Sequence, residues 1–271
     1  FLYFDIQSLD IIQMPRMPED LMAFETALQP HDMSDVARMV TRRWQLTNTR
    51  YLLGPTAFLD LLNTQIDPGF HRFRIAERFQ IVPKPGIAQP TQLDEMTAVI
   101  DSTNGAFALF EFTGALPRAK LYTNWQTCTN DQQALALLGS ASFEPENTVL
   151  VTEGVGKIPG GGAGTNQSGT VEYSRYMSKD FVLKANATAP SVLLVNDRYE
   201  PNWRAMVDGK PAPLLRCNYL MRGVYLTPGS HTVEFQFCPP IDALYVSVAG
   251  WVVGIVLCLL LFVIKDPPTP K

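Results

Sequence analysis

Basic residues, histidine and cysteine are all scarce in this sequence, and each shortage removes a class of function. Lys and Arg number 22 against 26 Asp and Glu, for a net charge of −4, so no basic surface points to nucleic acid. The three histidines, His31, His71 and His231, lie apart from the four cysteines, and there is no CxxC pair. Zinc-ligand spacing is therefore missing. Cys217 and Cys238 could bridge in an oxidising compartment, but spacing alone does not bring two Cα atoms within bonding distance, and that pairing stays open. No Gly-x-Ser-x-Gly elbow occurs, which removes the usual α/β-hydrolase signal. The adjacent acids Asp94 and Glu95 would diverge on a helix or a strand, so they do not make a paired-carboxylate site.

Charge is absent altogether from Ala243 to Ile264, 22 residues reading ALYVSVAGWVVGIVLCLLLFVI. As a helix this run would be about 33 Å long, matching a bilayer's hydrocarbon core. Fourteen of its residues are Leu, Ile, Val or Phe. Together they favour insertion by at most about 4–8 kcal/mol. A buried helix of a soluble core would present some polar face over six turns, and this run has none. Residues 241–265 are thus expected to cross the membrane, with 266–271 as a cytoplasmic tail. Lys265 and Lys271 follow the run, and Arg222 is the nearest basic residue before it, which places residues 1–240 outside a bacterial inner membrane. The opening Phe1-Leu2-Tyr3-Phe4 has neither the basic start nor the cleavage site of a signal peptide. Export is therefore expected to depend on upstream membrane segments of a longer polytopic parent.

Before that helix the texture changes once. Residues 1–153 interleave both element types. Helices are expected from Pro18, with Leu21, Phe24, Ala27 and Leu28 on one face, and again after a Ser34 cap. Strands are expected over Trp44–Leu53, Phe79–Val82, Phe107–Phe112 and Ala119–Tyr122. Short helices are expected over Ala57–Leu62 and, capped by Thr129 or Asn130, over Asp131–Leu138 up to Gly139. This is an α+β pattern. Residues 154–169 include KIPGGGAGTNQSG, which reads as a linker or loop; no Gly-Lys-Ser/Thr follows the glycines, so it is not a phosphate-binding loop. Residues 170–240 carry strands and turns without a helical run. Trp203–Val207 turns at Asp208-Gly209 into Lys210–Arg216, and Tyr219–Leu226 turns at Pro228-Gly229 into His231–Phe237. Val233, Phe235 and Phe237 alternate with Thr232, Glu234 and Gln236. An all-β sandwich module is expected.

The stretch LLVNDRYEPNWRAMVDGKPAPLLRCNYLMRGVYLTPGSHTVEFQFCP, residues 193–239, resembles the C-terminal extracytoplasmic domain of the YfhO-type bacterial membrane proteins. Its marks are an aromatic-Pro-x-Trp step, a Val-Asp-Gly-Lys hairpin, an Asn-Tyr strand and a Pro-Gly-x-His-Thr-Val-x-Phe hairpin before a membrane helix. Asn48-Thr49-Arg50-Tyr51, Leu116-Pro117-Arg118-Ala119 and Phe143-Glu144-Pro145 are similar to further landmarks in the same order. The family usually has Gly where this chain has Asn202, which a left-handed turn tolerates.

The resemblance implies a relative of the C-type glycosyltransferases, which move sugars from lipid-phosphate carriers to extracytoplasmic acceptors. It places the catalytic acid, and any divalent metal, on a loop between early membrane helices, so no catalytic or metal-ligating residue and no cofactor is assigned in this chain. The expected role is non-catalytic, helping to position the acceptor. The alternative is an anchored carbohydrate- or protein-binding module without enzymatic activity. Expected partners are the bilayer, the parent's other helices, and a lipid-linked sugar or cell-envelope glycan.

Tyr199 and Trp203 are candidates for stacking on a sugar, and Asp197, with Arg198, for hydrogen-bonding one. Their plainer roles are core packing and turn capping. Arg42 and Arg43 can meet lipid phosphates or remain a solvated pair. Gly250 and Gly254 form a Gly-x-x-x-Gly pair that lets another helix approach closely.

Overall fold

The computed structural model describes Ser8, residues 17–152 and residues 169–263. Most of the expected linker, 154–168, and the tail from residue 264 onward lie outside the described residues. A mixed α/β N-terminal part, a β-rich region and one C-terminal apolar helix follow each other along the chain.

Three sheets carry the architecture. The first contains β1 (Tyr51–Pro55), β2 (Phe73–Pro83), β3 (Met96–Ile100) and β4 (Phe107–Phe112) in the order β1-β4-β2-β3. The central sheet contains β5 (Ala119–Tyr122), β6 (Trp125–Cys128), β7 (Val149–Thr152), β10 (Ser191–Arg198), β13 (Leu215–Cys217) and β14 (Met221–Leu226), ordered β5-β10-β14-β13-β7-β6. The third contains β8 (Thr170–Met177), β9 (Asp180–Ala187), β11 (Trp203–Val207), β12 (Lys210–Ala212) and β15 (Gly229–Phe237), ordered β12-β11-β15-β9-β8. The helices are α1 (Glu19–Ala27), α2 (Val36–Leu46), α3 (Phe58–Leu61), which runs on into a π turn over Leu62–Ile66, α4 (Asp131–Gly139) and α5 (Asp242–Val263).

The central sheet is dry on both faces because strand residues alternate sides. Leu193, Val195, Val224 and Leu226 face the third sheet and meet Phe181, Leu183, Val233 and Phe235. There Phe181 and Phe235 stack with centroids 4.9 Å apart. The intervening residues Val192 and Leu194 face the other way and share a core with Phe24 of α1 and Leu138 of α4. The result is a sandwich with a helical layer added on one side. Each fully buried Leu, Val or Phe contributes about 1.5–3 kcal/mol. The central sheet takes strands from both sides of residues 154–168, so that segment does not separate two independent sheets.

Local signals explain many boundaries. Glu19 and Asp20 occupy the first turn of α1, where carboxylates complement the helix dipole. Asn130 caps α4 by accepting from the Gln133 N–H at 2.8 Å. Asp208 and Gly209, at φ 53° and 73°, form the tight left-handed turn expected between β11 and β12.

Elsewhere the expectations need correction. Trp44–Leu46 end α2 rather than starting a strand, because Met39, Arg42 and Leu46 recur on the helix's buried side. The strand that does form, β1, ends at Gly54-Pro55 and includes both residues. Ser34 is not the cap of α2; Asp35 holds that position, and the Asp32 carboxylate accepts from both backbone N–H groups. Arg42 is neither lipid-facing nor solvated. It is buried and donates to the Leu138, Ser140 and Phe143 carbonyls at the end of α4, while Arg43 pairs with Glu25. Burial pulls the Arg42 guanidinium down to about 10, so it stays charged at neutral pH.

Lys210–Arg216 is not one strand. β12 stays in the third sheet, and β13 crosses to the central one. Nor do β14 and β15 form a hairpin at Pro228-Gly229: β14 pairs with β10 and β13, whereas β15 pairs with β11 and β9. Phe181 and Phe235 can face Leu193 and Val224 only if the chain changes sheets there. Asn218-Tyr219 is a turn with φ 44° and 65°, not a strand. The Asn218 amide oxygen and backbone N–H pair with Leu150 as a neighbouring strand would, at 2.9 and 2.8 Å. Asn202 is not left-handed, so its tolerance of positive φ is not used. Cys217 and Cys238 are not bonded to each other, and Cys217 is fully buried in the central sheet.

Gly223 tests the central register. A Cβ there would stand 2.5 Å from the Leu193 carbonyl oxygen and 2.8 Å from the Cys217 sulfur, whereas one at Gly69 would meet nothing. Gly223→Ala is expected to destabilise the chain by about 1–3 kcal/mol in chemical unfolding, with Gly69→Ala close to wild type. Equal stability of the two variants would contradict the β10–β14 pairing.

Candidate functional site

Asp197 and Arg198 are neighbours in sequence that act on opposite faces of the central sheet. The register of β10 slips between Val195 and Arg198. Asp197 turns toward the third sheet, and Arg198 turns toward α1.

On the sandwich side Asp197 accepts from Arg118 at 2.8 and 3.1 Å and from Arg222 at 2.9 Å. Arg118 also donates to the Tyr176 hydroxyl. Arg222 is 4% exposed. Its guanidinium carbon lies 3.8 Å from the Trp203 ring centroid and 5.3 Å from that of Phe181. The aromatic faces and Asp197 together hold this buried cation. Its Nε and Nη1 and the Tyr173 hydroxyl have no hydrogen-bond partner among the described residues, so the cage compensates the charge better than it satisfies the donors. Burial lowers the Arg222 pKa from its ordinary value, with Asp197 opposing the shift. Burial likewise pushes the Tyr173 phenol up.

On the helix side an open groove of about 820 Å³ runs between the starts of α1 and α4. Arg198 reaches Asp20 at 2.7 Å, and Arg216 reaches Asp131 at 3.0 Å. The Arg216 guanidinium lies 4.5 Å from the Tyr219 ring centroid and 6.0 Å from that of Tyr199. Arg216 Nε donates to the Tyr219 carbonyl, made available by the left-handed turn at Asn218-Tyr219. Two guanidinium–carboxylate pairs and a tyrosine thus line a polar surface. Such a surface can hydrogen-bond hydroxyls and accept an anionic group beside its arginines.

Both places lie at one end of the sandwich, the end from which the chain enters α5. The Trp203–Phe237 pairing and the Cys238 N–H bond to the Asn202 carbonyl fix that junction. Leu244–Leu261 is the one stretch of the described residues long and apolar enough to cross a membrane, and none of it is buried against the rest of the chain. A Cβ at Gly250 or Gly254 would meet nothing within 4 Å. The two glycines line a shallow groove on α5 with Ser247, Trp251 and Cys258.

The three candidate sugar contacts therefore do not form one cluster. Trp203 and Asp197 share the Arg222 cage, with one indole face covered, while Tyr199 lies by Arg216 across the sheet. Sequence reasoning missed Arg222, Arg216, Tyr219, Asp20 and Asp131. Arg222 had a signal: it shares strand parity with Val224 and Leu226, which places it inside. The groove had none, because its parts come from four separated segments. Among the described residues no group of three or more His, Cys, Asp or Glu could hold a metal. No protein-family model matches the chain, and neither does any curated protein or solved structure.

Asp197→Ala would leave Arg222 buried without its counter-ion and is expected to cost about 3–5 kcal/mol in urea unfolding. Asp197→Leu combined with Arg222→Met should recover most of that loss. A single variant as stable as wild type would show that the cage does not depend on the pair.

Proposed function

We propose that this chain is the membrane-anchored, extracytoplasmic and non-catalytic part of a sugar-transferring membrane protein, and that its groove positions a sugar-bearing substrate beside the bilayer. One observation carries the reading: a polar groove with two arginines and a tyrosine opens at the sandwich end from which the apolar helix departs. A glycan or sugar phosphate there would meet guanidinium donors, carboxylate acceptors and an aromatic ring, the groups that bind sugar hydroxyls and phosphate. The resemblance of residues 193–239 to the YfhO-type domain supports the same role, with the bond-making residues elsewhere in the parent. α5 holds the groove close to a lipid-borne substrate, and Gly250 and Gly254 offer a face for the parent's other helices.

The test is calorimetric titration of the detergent-solubilised chain with a soluble hexose 1-phosphate and with the free hexose. Wild type should bind the phosphate, and Arg216→Ala should weaken binding by about tenfold or more, as expected for a lost charge-assisted contact. Trp203→Ala, outside the groove, should retain affinity if the protein remains folded by circular dichroism. No binding by wild type, or an unchanged affinity for Arg216→Ala, would remove the proposal.

A further inference from the structure

The third sheet ends beside the junction with α5 in a feature that the groove does not use. β8 and β9 are joined by a two-residue turn, Ser178-Lys179, with Met177 paired to Asp180. The Lys179 carbonyl accepts from the Phe237 N–H at 2.8 Å. The tip of this hairpin is thus tied to the last residue of β15. Because Asp180 pairs with Gln236, the turn projects in the direction in which β15 runs off its end toward α5. From Phe237 to Asp242, the first residue of α5, the chain advances five residues, a reach of at most about 18 Å when fully extended.

The tip has the composition of an interfacial anchor. Met177 is 60% exposed and Tyr176 41% exposed, whereas the other large apolar residues of this sheet are buried or half-buried. Ile241, on the connection to α5, is 47% exposed. Tyrosine suits the headgroup layer, where its ring is apolar and its hydroxyl polar, and the Tyr176 hydroxyl accepts from Arg118. Basic side chains surround it. Lys179 and Arg204 are exposed and form no ion pair among the described residues, while Arg175 is paired with Asp180. Cations at that height attract anionic headgroups.

We infer that the β8–β9 tip, Tyr176 to Lys179, is a second membrane contact, seated in the headgroup layer of the bilayer that α5 enters. The occupant is the lipid surface: the tip is continuous with the apolar helix through the Lys179–Phe237 bond, and its free charges complement anionic lipid. One transmembrane helix alone leaves a domain free to tilt about its connection. A second contact a few residues away would fix the groove's orientation toward the membrane. The inference rests on α5 being inserted, but not on sugar binding.

The test uses the full chain in phosphatidylcholine vesicles with and without phosphatidylglycerol, with Cys238 and Cys258 replaced by serine. An environment-sensitive fluorophore is attached at Met177→Cys, at Ser178→Cys in a second protein, and at Leu93→Cys as a control in the β2–β3 connection of the first sheet, where the native side chain is 91% exposed. Both tip labels should emit at shorter wavelength than the control. Lipids brominated near the headgroup should quench them at least about twofold more, with a further gain when phosphatidylglycerol is present. Tip labels indistinguishable from Leu93→Cys would overturn the inference. So would a blue shift without lipid quenching, which would mean that protein, a second copy or another part of the parent, covers the tip. Failure of the chain to float with vesicles would overturn both this contact and the anchoring by α5. Sugar binding is read separately by calorimetry, so its loss cannot be mistaken for either result.

Discussion

The central sheet is buried on both faces, by α1 and α4 on one side and by the third sheet on the other, and the rest of the chain is arranged around that constraint. A sheet covered twice has no solvated side on which to place charge. Every polar residue that its strands carry must therefore find a partner or emerge at an end. Asp197, Arg198, Arg216 and Arg222 all do so at the ends of β10, β13 and β14. The charged chemistry collects there because the middle of the sheet excludes it, and that end is also where β15 hands over to α5.

Arg222 shows what this costs. A guanidinium in a dry interface is tolerated only if charge and donors are both answered. Here Asp197 and the face of Trp203 answer the charge, while two guanidinium nitrogens find no acceptor among the described residues. The ion pair lies within the central sheet, and the Trp203 ring over Arg222 joins that sheet to the third. The arrangement also commits Trp203 to packing, with the indole lying between Arg222, Phe181 and Phe237. The groove on the far side of the sheet is built from looser, more exposed pairs. Those pairs can exchange partners with a ligand at small cost.

Segments far apart in the sequence turn out to touch. The Asn48 side chain donates to the Leu116 carbonyl, and the Asn196 N–H bonds to the Arg118 carbonyl. Arg42 holds the Phe143 carbonyl, and the Tyr122 hydroxyl holds that of Pro145. These motifs read as isolated tripeptides and tetrapeptides along the chain. In space they are the joints between the helical layer and the central sheet.

Local physics made part of this molecule legible without coordinates. The uncharged run that becomes α5, the Asn130 cap of α4, the Asp208-Gly209 turn and the alternation of Val233 and Phe235 each depend on residues a few positions apart. Their periodicity and capping chemistry therefore sufficed. Partner choice did not follow from the same signals. That β14 and β15 separate into different sheets, that Asn218 imitates a strand beside Leu150, and that Asp197, Arg198 and Tyr199 divide between two faces are all consequences of closing contacts between distant segments. The identity of a residue says which face it prefers, but only the packed sheet decides what stands opposite it.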